Sequence, residues 1–108
     1  MTKNKLFQSH FRKGKGAKFT GHPTYVFDED GNKYKVLGVT HAEKTNGIPN
    51  IKLAKNPEPN NTNIAYIKTK VDKEEKNKFG ARLKGWKLSN EDKPRVKAII
   101  ESNNQKKD

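Results

Sequence analysis

The chain has no cysteine, which removes disulfides, zinc–thiolate sites and thiol nucleophiles from consideration and fits a reducing compartment. Apolar residues fill only 30% of its 108 positions, so the core is expected to be small. No apolar run approaches the ~20 residues that cross a bilayer as a helix. The first residues, MTKNKLFQSHFRKGKGAKF, are basic but lack the apolar centre of a secretory signal. These absences lead to the expectation of one cytoplasmic domain with no membrane partner, since domains run to ~100–150 residues.

Acids are scarce as well. Twelve Asp and Glu stand against twenty-four Lys and Arg, a net charge of +12. The excess is uneven: residues 1–20 carry six cations and no acid, residues 81–108 carry eight against four, and residues 21–40 are slightly negative. A basic field of this size attracts polyanions, and nucleic acid is the commonest in a cytoplasm. A Lys- and Asn-rich composition also suits a merely solvated surface.

Metal ligands are not evident. The acids fall in DED, DKEE and ED, where a turn, a helix start and a cap each account for them. His10, His22 and His41 are far apart, with no H-x-x-x-H pair, no EF-hand loop and no G-x-x-x-x-G-K-[ST]. Neither metal nor cofactor is expected.

Along the chain, residues 1–18 hold Phe7 and Phe11 among cations without a sustained period and read as a flexible basic arm. Arg12, Lys13 and Lys15 are its candidate phosphate contacts. Residues 19–101 read as a single globular domain, and 102–108 as a disordered tail. HPTYVFDEDGNKYKVLGVT reads as a hairpin: YVF and YKVLGV suit strands, and DEDGN supplies the turn. Pro23 is expected to open its strand or sit on an edge. EKTNGIPN reads as a loop, IKLA as a short strand and KNPEPNNTN as loop. In IAYIKTKV, alternation sets Ala65, Ile67, Thr69 and Val71 against Ile64, Tyr66, Lys68 and Lys70.

Asp72 and Glu75 suggest a short helix over DKEEKNKF, ended by Gly80. KGWKL reads as an edge strand or an ordered loop anchored by Trp86. Ser89 is placed to cap a last helix in which Val96, Ile99 and Ile100 share one face. The expected fold is α+β: a small twisted antiparallel sheet, either curled into an SH3-like barrel or open, with a packed C-terminal helix.

The remaining chemistry is that of imidazoles and cations. Cleaving RNA without a metal takes a base for the ribose 2′-hydroxyl, an acid for the leaving oxygen, and positive charge at the phosphorane-like transition state. His22 precedes the first hairpin strand and His41 follows the second. If the two strands pair through DEDGN, the two histidines come together across 18 intervening positions. Histidines at strand ends also serve simply as hydrogen-bond partners of loops. Lys44, Lys52, Lys68, Lys70, Arg82 and Lys84 are candidate phosphate contacts. Tyr66 is either a base-stacking ring or a half-buried sheet residue. Trp86 reads first as core.

GHPTYVFDEDGNKYKVLGVTHAEK, residues 21–44, resembles the opening of MazF/PemK-type toxin endoribonucleases and of the related ToxN-type toxins. There a His/Arg-Pro step leads into a strand, and a returning strand ends in a Thr-Ser-like pair followed closely by lysine. His22 and Pro23, YKVLGV, and Thr40, His41 and Lys44 are the matching positions, with His41 where the serine stands. The resemblance implies an SH3-like barrel, metal-independent cleavage of single-stranded RNA, and phosphate contacts from Thr40 and Lys44.

Together these readings point to a small basic endoribonuclease of a toxin or mobile-element system, with His22 and His41 as its acid/base pair. Its partners would be RNA, single-stranded by preference, or other nucleic acid, together with an acidic protein or RNA antitoxin. The alternatives are a non-catalytic nucleic-acid-binding module and a phage- or mobile-element-encoded inhibitor protein.

Overall fold

The computed structural model describes residues 7–16 and 20–105. The protein is α+β: a mostly antiparallel sheet with one C-terminal helix, α1 (Asp92–Gln105). The strands are β1 (His10–Gly14), β2 (Pro23–Asp30), β3 (Lys33–Thr40), β4 (Lys44–Thr45), β5 (Ile48–Pro49), β6 (Ile51–Lys52), β7 (Tyr66–Ile67), β8 (Asp72–Glu75) and β9 (Phe79–Arg82). The main sheet runs β6-β7-β3-β2-β1-β9, and β8 lies beside β7 on the same edge of β3. Its path ends at β6 and β9, so the sheet is open rather than the barrel that the toxin resemblance implies.

The β2–β3 hairpin is the centre of the fold, and its local chemistry explains it. Asp30 pairs with Lys33, leaving Gly31 and Asn32 as a two-residue turn with Gly31 at φ 62°. A bulge at Phe27 shifts the register between Val26 and Asp28. Pro23 opens β2, as its missing N–H requires.

Two clusters divide the sheet's faces. Phe11, Leu37, Val39 and Ile67 pack with Val96 of α1, and Ile99 and Ile100 lie against them. Val26, Val36 and Phe79 form a second cluster on the other face, with Phe7 and Tyr34 packed on it. The N-terminus of α1 is fixed by Asp92, which is fully buried. Its carboxylate accepts from the backbone N–H groups of Ala54 (2.8 Å) and Lys55 (3.2 Å) and from Ser89 Oγ (3.0 Å). Ser89 caps the helix as the sequence suggests, accepting from the Asp92 N–H.

Several expectations are corrected. Residues 10–14 of the supposed arm form β1, paired on both sides, because Phe11 buries its ring against Tyr25 and Trp86. The arm's residues 1–6 and 17–18 lie outside the described residues. DKEEKNKF is not a helix. It forms β8 and a 3-10 turn, Lys76–Lys78, leading into β9. With Phe79 its only large apolar side chain, a helix here would bury almost nothing. As a strand it bonds the open edge of β3 and sets Lys73 on Asp30 (3.0 Å) and Lys76 on Glu29 (2.7 Å).

EKTNGIPN is not a plain loop either. Asn46 and Gly47, at φ 52° and 80°, turn a two-stranded β4–β5 hairpin. The supposed tail remains helical through Gln105, and Asn103 shows why. Its side chain donates to the Thr69 carbonyl (2.8 Å) and accepts from the Val71 N–H (3.0 Å), tying α1 to the β7–β8 link. Residues 106–108 lie outside the described residues.

Candidate nucleic-acid site

Strand register places the candidate cations. Directly opposed residues on neighbouring strands project to the same face. Arg82, Arg12, Thr24 and Gly38 are successive partners across β9, β1, β2 and β3. Lys68 continues the row by donating its N–H to the Gly38 carbonyl (2.9 Å). The adjacent row carries Thr40, Tyr66 and Lys52 across β3, β7 and β6. His22 immediately precedes β2, at the end of the hairpin where Thr40 closes β3. Both rows alternate with Leu37 and Val39 and so lie on the face away from α1.

At the middle of this face the row is covered: Thr24 is fully buried and Gly38 is buried. Gly38 has no side chain, and the stem of Lys68 lies over it: a Cβ built there would meet Lys68 Cδ at 3.1 Å. Arg12 is held by its own bonds, from Nη1 to the Gly80 carbonyl and from Nε to His10 Nε2, both 2.9 Å. Its guanidinium stands 5.3 Å from the centre of the Tyr34 ring.

His10 sits behind Arg12 rather than in the site. Its Nδ1 donates to the Gln8 carbonyl (2.9 Å) while Nε2 accepts from Arg12. Burial pushes its pKa below the ordinary 6.5, with Arg12 and Arg82 acting the same way and the Gln8 carbonyl opposing them.

His22 and His41 line one cleft at the open end of the β2–β3 pair, about 630 Å³ in volume. Thr40 lines the same cleft and stands in the row with Tyr66 and Lys52, so cleft and helix-free face adjoin at that residue. His41 is oriented from outside the hairpin: its Nδ1 donates to the Ile64 carbonyl at 3.0 Å. Because a carbonyl only accepts, Nδ1 carries the proton and Nε2 of the neutral ring is the basic atom. Thr40 Oγ1 accepts from the Ala42 N–H (3.2 Å) and shapes the bend that carries His41.

The other candidates scatter. Lys13 alternates away from Arg12 on β1, Lys15 lies beyond that strand, and Lys44 is on the separate β4–β5 hairpin. Lys70 and Lys84 are exposed on turns. None of these five lines the cleft.

Two further residues line the cleft: Trp86, which the sequence reads first as core, and Glu58, which sequence reasoning passed over. Trp86 contributes to its wall as well as packing on the core, with its ring 5.8 Å from Phe11. Glu58 is the only acid among its lining residues. Glu58 is held by its own loop: its N–H donates to Asn56 Oδ1 (2.9 Å), and its Oε1 accepts from Asn61 Nδ2 (2.8 Å). The loop is clasped to the residue just after Trp86, with Lys87 N–H donating to the Pro57 carbonyl (3.2 Å). Among the described residues, no three His, Asp or Glu side chains group as metal ligands would. No helix among them is long and apolar enough to cross a membrane.

The chain matches no protein-family model, no curated protein and no solved structure. Its fold and site define an open antiparallel sheet, helix-backed on one face, with a second apolar cluster and Arg12, Arg82, Lys68 and Lys52 on the other, and a two-histidine cleft at one end.

Proposed function

We propose that the protein binds single-stranded RNA across the helix-free face and cleaves it in the cleft, without a metal ion. The observation that carries this reading is that His22 and His41 line one cleft, joined through Thr40 to the row bearing Tyr66 and Lys52. His41 Nε2 takes the proton of the ribose 2′-hydroxyl. The 2′-oxygen attacks phosphorus, the P–O5′ bond breaks, and His22 delivers a proton to the departing 5′-oxygen. The products are a 2′,3′-cyclic phosphate and a 5′-hydroxyl. Lys68 and Lys52 stand on the face beside the cleft rather than in its lining, and hold phosphates that flank the scissile bond.

As a toxin or mobile-element nuclease, it would need an acidic protein or RNA antitoxin to hold it inactive in the cell. A DNA strand carrying one ribonucleotide tests the chemistry. Cleavage is expected only 3′ of the ribose, because the nucleophile is its own 2′-hydroxyl. Cleavage elsewhere in the strand contradicts it.

A second reading has its own support. The cations of that row, Arg82, Arg12 and Lys68, need no histidine to bind a phosphate backbone. A non-catalytic module would retain every cation effect and be indifferent to His22 and His41.

A further inference from the structure

We propose that the loop wall of the cleft selects a guanine base, with Glu58 as the reading group and Trp86 as the stacking surface. This rests on the nucleic-acid reading of the same cleft. A lone carboxylate is out of place where phosphate is to bind, since it repels the backbone that the surrounding charge attracts. Its presence among the cleft's lining residues calls for a ligand group that donates hydrogen bonds.

Among the bases, only guanine offers two parallel donors on its Watson–Crick edge, N1–H and the 2-amino group, matched to the two oxygens of one carboxylate. Adenine and cytosine place an acceptor nitrogen beside their amino group, and uracil places its single N–H between two carbonyls. Each sets an acceptor against the carboxylate. Unstacked bases are commonly read on this edge while stacking on an aromatic ring.

The geometry suits that role. Glu58 Oε1 accepts one bond from Asn61, and a carboxylate has about four acceptor sites, so capacity remains. The loop bonds that hold Glu58 are made before any ligand arrives, so little ordering is left for binding. The cleft's volume falls in the range of about 300–1,000 Å³ typical of small-ligand sites.

Trp86 is the sole tryptophan, so its fluorescence reports occupancy directly. The full chain is titrated with GMP, AMP, CMP and UMP in turn. GMP is expected to bind about tenfold or more tighter than the others. Glu58→Gln, which keeps the shape, should bring the four within about threefold. Lys13→Ala, outside the cleft, should keep the preference. Glu58→Ala is the second variant, and the free-protein emission maximum confirms that both fold.

Equal binding of all four nucleotides, no binding of any, or a guanine preference that survives both Glu58 variants overturns the inference. Unselective nucleotide binding with RNA cleavage intact overturns this inference and leaves the reaction standing. Selective GMP binding without cleavage does the reverse.

Discussion

Lys68 lays its side chain across Gly38, with Cδ at 3.1 Å from where a Cβ on that glycine would lie. The contact joins β7 to the middle of the helix-free face and fixes one end of the cationic row. Gly38→Val should push the lysine aside at a cost of about 1 kcal/mol in folding stability. RNA affinity should fall as it does in Lys68→Ala. Chemical denaturation and a gel-shift titration, run on both variants, check the two halves of this expectation.

Salt dependence should count the row. If Arg12, Arg82, Lys68 and Lys52 each neutralise one phosphate of a single strand, log K falls against log salt with a slope of about −3. Lys68→Ala should lower the magnitude by about 0.7, whereas Lys13→Ala, on the alternate side of β1, should leave it unchanged. Equal losses from both would mean a diffuse field rather than a defined path.

The two histidines should act as a unit. His22→Ala and His41→Ala are each expected to slow cleavage by about 10²–10⁴-fold. The double variant should be much less impaired than the product of the two, because one missing partner already disables proton transfer. Affinity for uncleavable 2′-deoxy strands should change little in any of the three.

Removing the carboxylate beneath α1 should be felt throughout the fold. Asp92→Ala leaves the Ala54 and Lys55 N–H groups without their acceptor and unlinks Ser89. A loss of about 3 kcal/mol is expected from stranded buried donors and the weakened cap. Thermal melting reads it. A loss below about 0.5 kcal/mol would mean that solvent reaches those groups.

His10 should make stability pH-dependent. Its folded pKa lies below the ordinary 6.5, so the unfolded chain binds more protons in that window and stability rises with pH. The contribution is present above pH 6.5 and is lost as pH falls through the lowered value. His10→Gln should flatten the stability profile below pH 6.5. An unchanged profile would assign the pH dependence to other groups.

Much of the fold was legible because it rests on local signals. GNK supplies the turn chemistry of the β2–β3 hairpin, and the spacing of Val96, Ile99 and Ile100 gives the buried stripe of α1. β1 was hidden because Phe11 is its only large apolar residue among cations, and pairing with two strands, rather than composition, orders it. The DKEEKNKF error followed from a capping pattern with no apolar face behind it. Asn46-Gly47 is a strong hairpin signal that was available and passed over.

The meeting of His22 and His41 followed from one hairpin. The cationic rows did not, since they need five strands in register. Glu58 was hidden in a stretch of turn residues, KNPEPNNTN, and nothing local to the sequence connects that loop with Trp86.

The most direct measurement is cleavage of a mixed-sequence single-stranded RNA in EDTA, comparing the full chain with its His41→Ala variant and identifying the product ends. Cleavage by the unaltered protein alone, leaving 2′,3′-cyclic phosphates, is the expected result. RNA left intact at protein concentrations that bind all of it would contradict the nuclease and leave the basic face as a binding surface.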